Sequence, residues 1–461
     1  MQERVLFGTD GIRGRANVYP MTVEVALALG RGLAYLVSTG RLGLSDQGHR
    51  KRIVIGKDTR LSGYCFEQAI SAGICSMGVD VMLVGPLPTP GIAFITQSMR
   101  ADAGIVVSAS HNAFEDNGIK IFCQDGFKLP DAIELELEQL ILTKQIESIR
   151  PTGIAIGKAR RIDDAVGRYI VYLKSAFPNQ STLDGMRIVL DCAHGAAYRV
   201  APQVLQELGA EVVTLGDEPD GININADVGS LYPEKAQALV LECQANLGIA
   251  LDGDADRIKV IDEKGQIVSG EIMLALIAIY LKEKGLLQKN TIATTDMSNF
   301  ALDLYLKSKG IAVERVDVGD RYVVERMRQK KLNWGGEESG HLIFFDQGTT
   351  GDGMVGALLL LALLKESGKP LSDIANLFDL VPRTIRNVAV LKKIKFEKLP
   401  RSMQAIKEIE RRLAGQGRVF VRYSGTENKL RILIEGPRQD ELDEMADNFT
   451  KIMLGEINQL S

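Results

Sequence analysis

The sequence has few of the residues from which disulfide frames and zinc sites are built. Its 461 residues include only five cysteines and four histidines. The cysteines are odd in number, lie far apart and form no C-x-x-C pair, which is typical of reduced thiols rather than of disulfides or zinc ligands. We therefore expect a cytoplasmic protein without a histidine-rich metal site.

A basic excess and long apolar segments are also missing. The chain has 55 Lys and Arg against 59 Asp and Glu, a net charge of −4. Proteins that bind nucleic acid through its phosphates usually carry a basic excess, so we expect no nucleic-acid partner. The longest apolar runs, 272–281 and 354–364, are far shorter than the ~20 residues of a membrane-spanning helix. They predict buried helices and no membrane partner.

The chain has ordinary globular composition, with 45% hydrophobic and 25% charged residues, and an internal repeat organises it. The repeating unit begins with a β-run, which is followed by a helical stretch, a glycine and a second β-run. A third β-run closes the unit, and the unit occurs three times. The first runs begin at Ile53, Ile188 and Thr291, and the third runs begin at Gly104, Gly248 and Leu332. This is the order of βαβ units, so we predict three similar α/β domains with βαβ-type mixed sheets.

The pattern changes after Lys369. A helix over 403–413, a β-run over 418–423, a turn, a second β-run from Leu430 and a final helix from Gln439 predict a C-terminal α+β domain with an antiparallel hairpin. We expect the four domains to surround a central cleft. Their predicted boundaries are 1–152, 153–250, 251–369 and 370–461.

Each third β-run ends in a polar loop, at the sheet edge where α/β proteins bind ligands. In the first loop Ser110 is flanked by His111 and Asn112, and Lys120 follows ten residues later. Polar neighbours and a cation suit a nucleophile that carries an anion, although a serine here could simply cap a helix. No G-x-S-x-G elbow surrounds it, which disfavours an α/β-hydrolase serine.

The second loop holds three carboxylates, Asp252, Asp254 and Asp256, with small residues between them. Such a loop can wrap a hard cation, and Mg²⁺ takes oxygen ligands in octahedral geometry. The alternatives are a solvated acidic turn and an EF-hand. We reject the EF-hand because Arg257 stands where its loop requires glycine.

Three further elements suggest contacts with a sugar phosphate. Residues 335–341 combine glycines with the adjacent Glu337 and Glu338, which would repel each other. We therefore expect one of them to bind a partner such as a sugar hydroxyl and the other to face solvent, although a plain β-turn is an alternative. Residues 422–426 with Arg431 offer hydroxyls, backbone N–H groups and guanidiniums for a phosphate, or form a hairpin turn with incidental arginines. Arg13, in a glycine-rich turn, could meet an anion.

A glycine motif over residues 351–356 matches G-x-G-x-x-G but sets Asp352 where a pyrophosphate needs neutral backbone. We predict that Asp352 caps the following helix instead. The phosphate-binding P-loop sequence is absent as well. Both observations disfavour nucleotide binding.

Five motifs occur in the order seen in the α-D-phosphohexomutases: FGTDGIRG, SASHN with NGIK, DGDADR, GGEESGH and RYSGTE. The chain resembles this family over nearly its whole length, and most closely its bacterial branch that acts on glucosamine phosphates. The resemblance implies an isomerase that interconverts glucosamine 6-phosphate and glucosamine 1-phosphate through a phosphoserine and a 1,6-bisphosphate, feeding UDP-N-acetylglucosamine and cell-wall synthesis. The alternative within the family is a phosphomannomutase/phosphoglucomutase.

The resemblance also implies roles for single residues. Ser110 is the phosphoserine and completes a magnesium site with Asp252, Asp254 and Asp256. Near the transferred phosphoryl group it places Arg13, Lys120, Arg257 and His341. It assigns the sugar hydroxyls to Glu337 and Ser339, and the non-reacting phosphate to Arg422, Ser424, Gly425, Thr426 and Arg431. In order, the four domains then carry the phosphoserine, the metal loop, the sugar-binding loop and the phosphate clamp.

The implied cofactors are one Mg²⁺ per chain and a hexose 1,6-bisphosphate activator, and the partner is a phosphosugar bound by a monomer or homodimer. The sequence departs from the family at Ala113 and Asn428, where proline is usual, and at Ala255, where the glucosamine branch often has glycine. None of these changes removes a ligand, so we still expect activity. Two rival classes are a phosphatase acting through Ser110 and a non-catalytic sugar-phosphate sensor.

Overall fold

The structure is a computed structural model that describes residues 5–8, 10–42, 50–423 and 428–460. Its contacts divide the chain into two compact units. One contains Met1–Thr295 and Val316–Ala375, and the other contains Asp296–Arg315 and Asn376–Ser461. Across the described ranges we find no helix with both the length and the apolar character that crossing a membrane requires.

The first sheet of the larger unit has six strands in the order β1-β5-β4-β2-β3-β6. The strands are β1 (Ile12–Arg15), β2 (Arg52–Lys57), β3 (Asp80–Pro86), β4 (Ala103–Val107), β5 (Asp116–Cys123) and β6 (Ala159–Arg161). The helices are α1 (Val23–Ser38), α2 (Leu61–Ser76), α3 (Thr89–Ser98) and α4 (Asp131–Thr143). The central strands β2 and β4 are parallel and apolar, as buried parallel strands are, whereas β5 runs antiparallel to β4.

The second sheet has the order β11-β10-β9-β7-β8. Its elements are α5 (Ala165–Lys174), β7 (Arg187–Asp191), α6 (Val200–Glu207), β8 (Glu211–Leu215), α7 (Glu234–Glu242), β9 (Leu247–Leu251), β10 (Ile258–Asp262) and β11 (Ile267–Val268). Strands β7, β8 and β9 are parallel, and β10 returns antiparallel to β9. The loop between β9 and β10 therefore lies at the carboxyl edge of the parallel strands.

A third set of elements runs from α8 (Gly270–Glu283) to α12 (Leu371–Ile374). Between them lie β12 (Thr291–Thr295), α9 (Ala301–Ser308), β13 (Ala312–Val316), α10 (Asp320–Lys330), β14 (Trp334–Gly336), β15 (Leu342–Phe344) and α11 (Gly353–Ser367). Strands β12 and β14 pair in parallel, and β15 runs antiparallel to β14. The two longest apolar runs of the sequence form α8 and α11, which are buried as predicted.

The C-terminal part of the smaller unit is an antiparallel sheet in the order β16-β18-β17. Its strands are β16 (Arg383–Ala389), β17 (Arg418–Tyr423) and β18 (Lys429–Glu435), and its helices are α13 (Pro400–Leu413) and α14 (Gln439–Leu460). Side chains of β18 and α14 form its core, among them Leu430, Ile432, Phe449 and Met453. The predicted hairpin and both predicted helices are present.

The predicted fold class is confirmed, with three mixed α/β sheets and a C-terminal α+β domain. Each predicted first β-run forms a strand, β2, β7 or β12, and each third β-run forms the parallel strand β4, β9 or β14. The domain boundaries stay predictions.

Candidate functional site

Ser110 follows β4 at the carboxyl edge of the first sheet. Its backbone has a φ of 52°, a left-handed conformation that is uncommon for a residue with a Cβ and is often found at functional sites. The side chain is buried, and its hydroxyl donates a hydrogen bond to Asp252 Oδ2 at 2.6 Å. The predicted nucleophile thus touches the predicted metal loop.

The three aspartates lie together in the β9–β10 loop. One oxygen of each lies within 4.8 Å of the others, and all three side chains are buried. Among the described residues, Asp254 Oδ1 and Asp256 Oδ1 are buried without a hydrogen-bond partner. Burial and the two neighbouring carboxylates raise the pKa of Asp252 to about 8. Buried carboxylates with orphaned oxygens fit a hard divalent cation.

Cationic side chains surround this loop. The buried Lys120 on β5 donates to Asp254 Oδ2 at 2.9 Å and lies 3.4 Å from Asp256 Oδ2. Burial opposes its charge, but Asp10, Asp254 and Asp256 together raise the pKa of Lys120. Lys120 therefore stays protonated and supplies positive charge at neutral pH.

Arg257 connects the acidic loop to the loop that contains Ser110 and His111. Its backbone N–H donates to Asp252 Oδ1 at 3.1 Å, and its guanidinium lies 2.6 Å from His111 Nδ1. Burial, followed by the charge of Arg257, lowers the pKa of His111 to about 4. His111 is consequently neutral at pH 7, and its Nδ1 can accept this hydrogen bond.

His341, in the third polar loop, lies next to the acidic loop. Its Nδ1 lies 3.6 Å from Asp256 Oδ1, and its Nε2 lies 3.5 Å from Asp320 Oδ2. Burial opposes the charged ring, but Asp256 and Asp320 raise the pKa of His341 to about 9. Burial also raises the pKa of Glu337, and Ser339 Oγ lies 3.5 Å from Glu337 Oε2.

Sequence reasoning missed several charged residues of this cluster. Asp10 pairs with Arg13 and lies 3.3 Å from Lys120 Nζ. Lys128 bonds Asp10 on one side and Asp320 on the other, and so links the β1 region to the start of α10. Asp10 lies within the FGTDGIRG motif but was not singled out, and Lys128 and Asp320 lie in no motif, so only the fold brings the three together.

The described part of the predicted phosphate clamp lies in the smaller unit. Arg422 on β17 and Arg431 on β18 are directly opposite each other, and both line a cavity of about 370 Å³ with Lys429 and Asn387. Like charges at opposite positions of a sheet repel, so an anion between them would be stabilising. The other predicted clamp residues, Ser424, Gly425 and Thr426, lie outside the described residues.

Four family models, all described as phosphoglucomutase/phosphomannomutase, match the chain in succession. The alpha/beta/alpha domains I, II and III match residues 4–147, 167–265 and 269–381, and the C-terminal domain matches residues 386–452. Together these models cover most of the chain.

A protein of Syntrophotalea carbinolica named phosphoglucosamine mutase is 55% identical over 451 residues, covering 98% of this chain and 97% of the relative. A solved phosphoglucomutase/phosphomannomutase family protein of Burkholderia thailandensis superposes with a TM-score of 0.79 at 24% identity, covering 98% and 97% of the two chains. An Aspergillus fumigatus N-acetylphosphoglucosamine mutase, solved with GlcNAc-6P and magnesium, superposes with a TM-score of 0.67 at 17% identity. The match covers 99% of this chain and 96% of that one. Both structural likenesses show the fold.

Proposed function

The chain belongs to the phosphoglucomutase/phosphomannomutase family of isomerases, and we propose that it interconverts glucosamine 6-phosphate and glucosamine 1-phosphate. The observation that carries the reaction type is the hydrogen bond from Ser110 Oγ to Asp252 Oδ2 at 2.6 Å, which sets a nucleophile inside a buried acidic cluster. The sugar is proposed from the full-length relative named phosphoglucosamine mutase.

In the proposed reaction Ser110 carries the phosphoryl group. The bond from Ser110 Oγ to phosphorus breaks as O1 of glucosamine 6-phosphate bonds to phosphorus, and the proton that O1 loses ends on Ser110 Oγ. The resulting 1,6-bisphosphate turns end for end and returns its 6-phosphoryl group to Ser110, which leaves glucosamine 1-phosphate. Because phosphate monoesters hydrolyse extremely slowly in water, the loaded enzyme can wait for substrate.

The chain's own cations would stabilise the transferred group. Lys120 and Arg257 contact the acidic loop or its neighbour His111. Arg13 interacts electrostatically with Asp254 and Asp256, so the fixed positive charge of all three cations can act on developing negative charge. Against the effect of burial, Asp256 and Asp320 raise the pKa of His341 to about 9, while its Nε2 accepts the backbone N–H of Gly351. We assign His341 and Lys120 as hydrogen-bond donors to phosphoryl or leaving oxygens.

Ser110, Asp252, Asp254 and Asp256 would hold one Mg²⁺ per chain. The support is the pair of orphaned carboxylate oxygens in the acidic loop. When bound, the ion would neutralise charge on the phosphoryl group. A hexose 1,6-bisphosphate would act as the activator that loads Ser110.

Glu337 and Ser339 would bind the sugar hydroxyls, and Arg422 with Arg431 would bind the phosphate that does not react. Ser424, Gly425 and Thr426 complete the proposed clamp. We place the reaction in the cytoplasm, where its product would feed UDP-N-acetylglucosamine and cell-wall synthesis. The five cysteines are all free thiols, which supports a reducing compartment. A monomer or a homodimer is compatible with this proposal.

A substrate panel tests the sugar. With Mg²⁺ and a 1,6-bisphosphate present, glucosamine 6-phosphate should exceed glucose and mannose 6-phosphates in kcat/KM by about ten- to a hundredfold, the worth of one charge-assisted hydrogen bond. Glu337 is the acidic residue proposed to favour an ammonium at C2. A preference for glucose or mannose 6-phosphate would overturn the glucosamine assignment and favour the phosphomannomutase/phosphoglucomutase alternative.

Ser110→Ala tests the covalent step. The variant should fold, lose mutase turnover and carry no phosphate by intact-mass analysis, because no oxygen remains to hold the phosphoryl group. Ser71→Ala is the matched control: Ser71 is a buried serine on α2 whose hydroxyl donates to Glu67 O, and its variant should still accept phosphate on Ser110. Substantial mutase activity in Ser110→Ala would refute transfer through this serine, and phosphate release in step with turnover would favour a phosphatase.

A further inference from the structure

Arg60, between β2 and α2, is fully buried and faces the Ser110 loop. Its guanidinium donates to four carbonyl oxygens of that loop. The acceptors are Ser110 O at 2.9 Å, Asn112 O at 2.8 Å, Asp116 O at 3.1 Å and Ala113 O. The carbonyls of Ser110, Asn112 and Ala113 lie in the connection between β4 and β5, and that of Asp116 lies at the start of β5. A single side chain therefore bonds this connection at four points.

The remaining donor of the guanidinium fixes Arg60 itself. Its Nε donates to Asp58 Oδ2 at 2.8 Å, and that oxygen also accepts the Ser108 hydroxyl at 2.6 Å. Ser108 Oγ in turn accepts the backbone N–H of Ser110 at 3.0 Å. With all five N–H donors used, the guanidinium holds the loop on both sides of Ser110.

Asn225, in the connection between β8 and α7, reaches two of the same carbonyls. Its Nδ2 donates to Ser110 O at 2.9 Å and Asn112 O at 3.0 Å. Gly253 of the acidic loop also lies here, since a Cβ on it would stand 2.6 Å from Ser110 O. The Ser110 carbonyl is therefore contacted from the loops that follow β2, β8 and β9.

This network explains how Ser110 keeps its left-handed backbone. A non-glycine residue in that region costs about 1–3 kcal/mol and persists only when its surroundings hold it. The φ of 52° at Ser110 directs the hydroxyl toward Asp252 while the carbonyl faces Arg60 and Asn225. Loss of either donor would leave a buried carbonyl oxygen with fewer partners and let the turn relax.

We propose that Arg60 and Asn225 are positioning residues for phosphoryl transfer, which hold the Ser110 loop so that the phosphoserine faces the sugar hydroxyl rather than water. The proposal rests on the proposed role of Ser110 as the phosphoryl carrier. Both residues act through the loop backbone and contact no reacting atom. Misplacing a reacting group by about 1 Å can cost about a hundredfold in rate.

Arg60→Lys and Asn225→Ala test the proposal. A lysine keeps the charge but loses the fork of five donors. Both variants should lower kcat by about 10- to 100-fold while KM for the phosphosugar changes by less than about threefold, because ground-state binding is not touched. Both should also release more inorganic phosphate per mutase turnover, since a loosened phosphoserine is more open to water. A purely structural role would not change that ratio.

Arg31→Lys is the matched control. Arg31 is a buried arginine on α1 that also binds loop carbonyls, Ile146 O at 2.9 Å and Ile149 O at 3.1 Å, away from Ser110. It should lower Tm without changing kcat or the phosphate ratio. If Arg60→Lys fails to fold, Asn225→Ala decides the question.

The proposal is overturned if the folded variants keep their kcat, if kcat falls without a rise in phosphate release, or if Arg31→Lys behaves in the same way. Failure of the proposed function would look different. In that case active wild-type enzyme would carry no phosphate on Ser110, whatever the behaviour of the variants.

Discussion

Ala255 has a φ of 56° in the middle of the acidic loop, a backbone region that favours glycine. Ala255→Gly should therefore leave Tm nearly unchanged. Relief of about 1–3 kcal/mol of backbone strain offsets the loss of a buried methyl group, worth about 0.8 kcal/mol, and the greater chain entropy of glycine. Ala250→Gly is the control, because Ala250 lies in the regular strand β9 and is equally buried. It should lower Tm clearly, and equal losses in the two variants would contradict the prediction.

At the same loop, Asp254→Asn should raise the Mg²⁺ concentration needed for half-maximal activity and lower the maximal rate. The change replaces a carboxylate by an amide, a poorer ligand for a hard cation. Asp191→Asn, a buried aspartate at the end of β7 that accepts backbone N–H groups, is the control and should leave the Mg²⁺ dependence unchanged. Chelation should stop the wild type, and activity that survives thorough EDTA treatment would refute a metal role for the loop.

At the scale of elements, Asp352 confirms a prediction made from the sequence and adds a pH dependence. Its carboxylate caps α11 by accepting the N–H groups of Met354 and Val355. Burial raises its pKa from 3.8 to about 6. The folded state therefore binds this proton more tightly than the unfolded state, and the stability that the group contributes is lost as pH rises from about 4 through about 6.

Asp352→Asn keeps a capping oxygen but cannot ionise. The Tm of this variant minus the Tm of the wild type should increase as pH rises from about 4 to about 6. Above about pH 7 this difference should stay constant. Thermal unfolding across this pH range measures it. A Tm difference that stays constant with pH would contradict the raised pKa.

The cross-strand pair of Arg422 on β17 and Arg431 on β18 makes a kinetic prediction. Arg422→Ala should mainly raise KM for phosphosugars, because a phosphate that does not react is bound in both the ground and the transition state. Some loss of kcat is expected if this binding also orients the sugar. Arg386→Ala on the outer strand β16, paired with Asp443 and Asp447, is the control. Unchanged KM and kcat in Arg422→Ala would remove it from the site.

Much of the element order was predictable because each strand and helix is specified locally. The apolar β-runs, the glycines after helices and the cap at Asp352 are all short-range signals. The rule that polar strand ends carry chemistry also located Ser110 and the three aspartates. The same rule applied to Asp58 and Arg60, after β2, would have marked them as well.

At the scale of the whole molecule, sequence reasoning reached its limit where residues meet only through the fold. Lys128 contacts Asp10 and Asp320, which lie more than a hundred residues away on either side. Asn225, in the loop after β8, bonds Ser110 in the loop after β4, 115 residues earlier in the chain. No periodicity or motif encodes such pairs, because buried charge and amide partners depend on which loops the packed sheets bring together.

The division of the chain predicts the result of truncation. Residues 296–315 belong to the smaller unit although they precede the end of the larger one. There the side chain of Asn299 bonds the backbone of Val381, and Arg418 donates to Ser298 O at 2.8 Å. A chain ending at Ala375 should therefore be cut by proteases within 296–315, whereas the full chain resists. Equal protection of this segment in both chains would contradict the division.

The same interleaving has a consequence during biosynthesis. Ser298 leaves the ribosome about 120 residues before Arg418, its partner, which at roughly 5–20 residues per second is a wait of about 6–24 s. For that time Ser298 O has its bond from Arg315 of the same segment but lacks its bond from Arg418, and Asn299 lacks its bonds to Val381. All residues of the larger unit have been synthesised once residue 375 is added. The smaller unit, by contrast, packs residues 376–461 against residues 296–315, which are synthesised earlier. Its folding therefore waits until residues 376–460 have been made, even when the larger unit folds as it emerges.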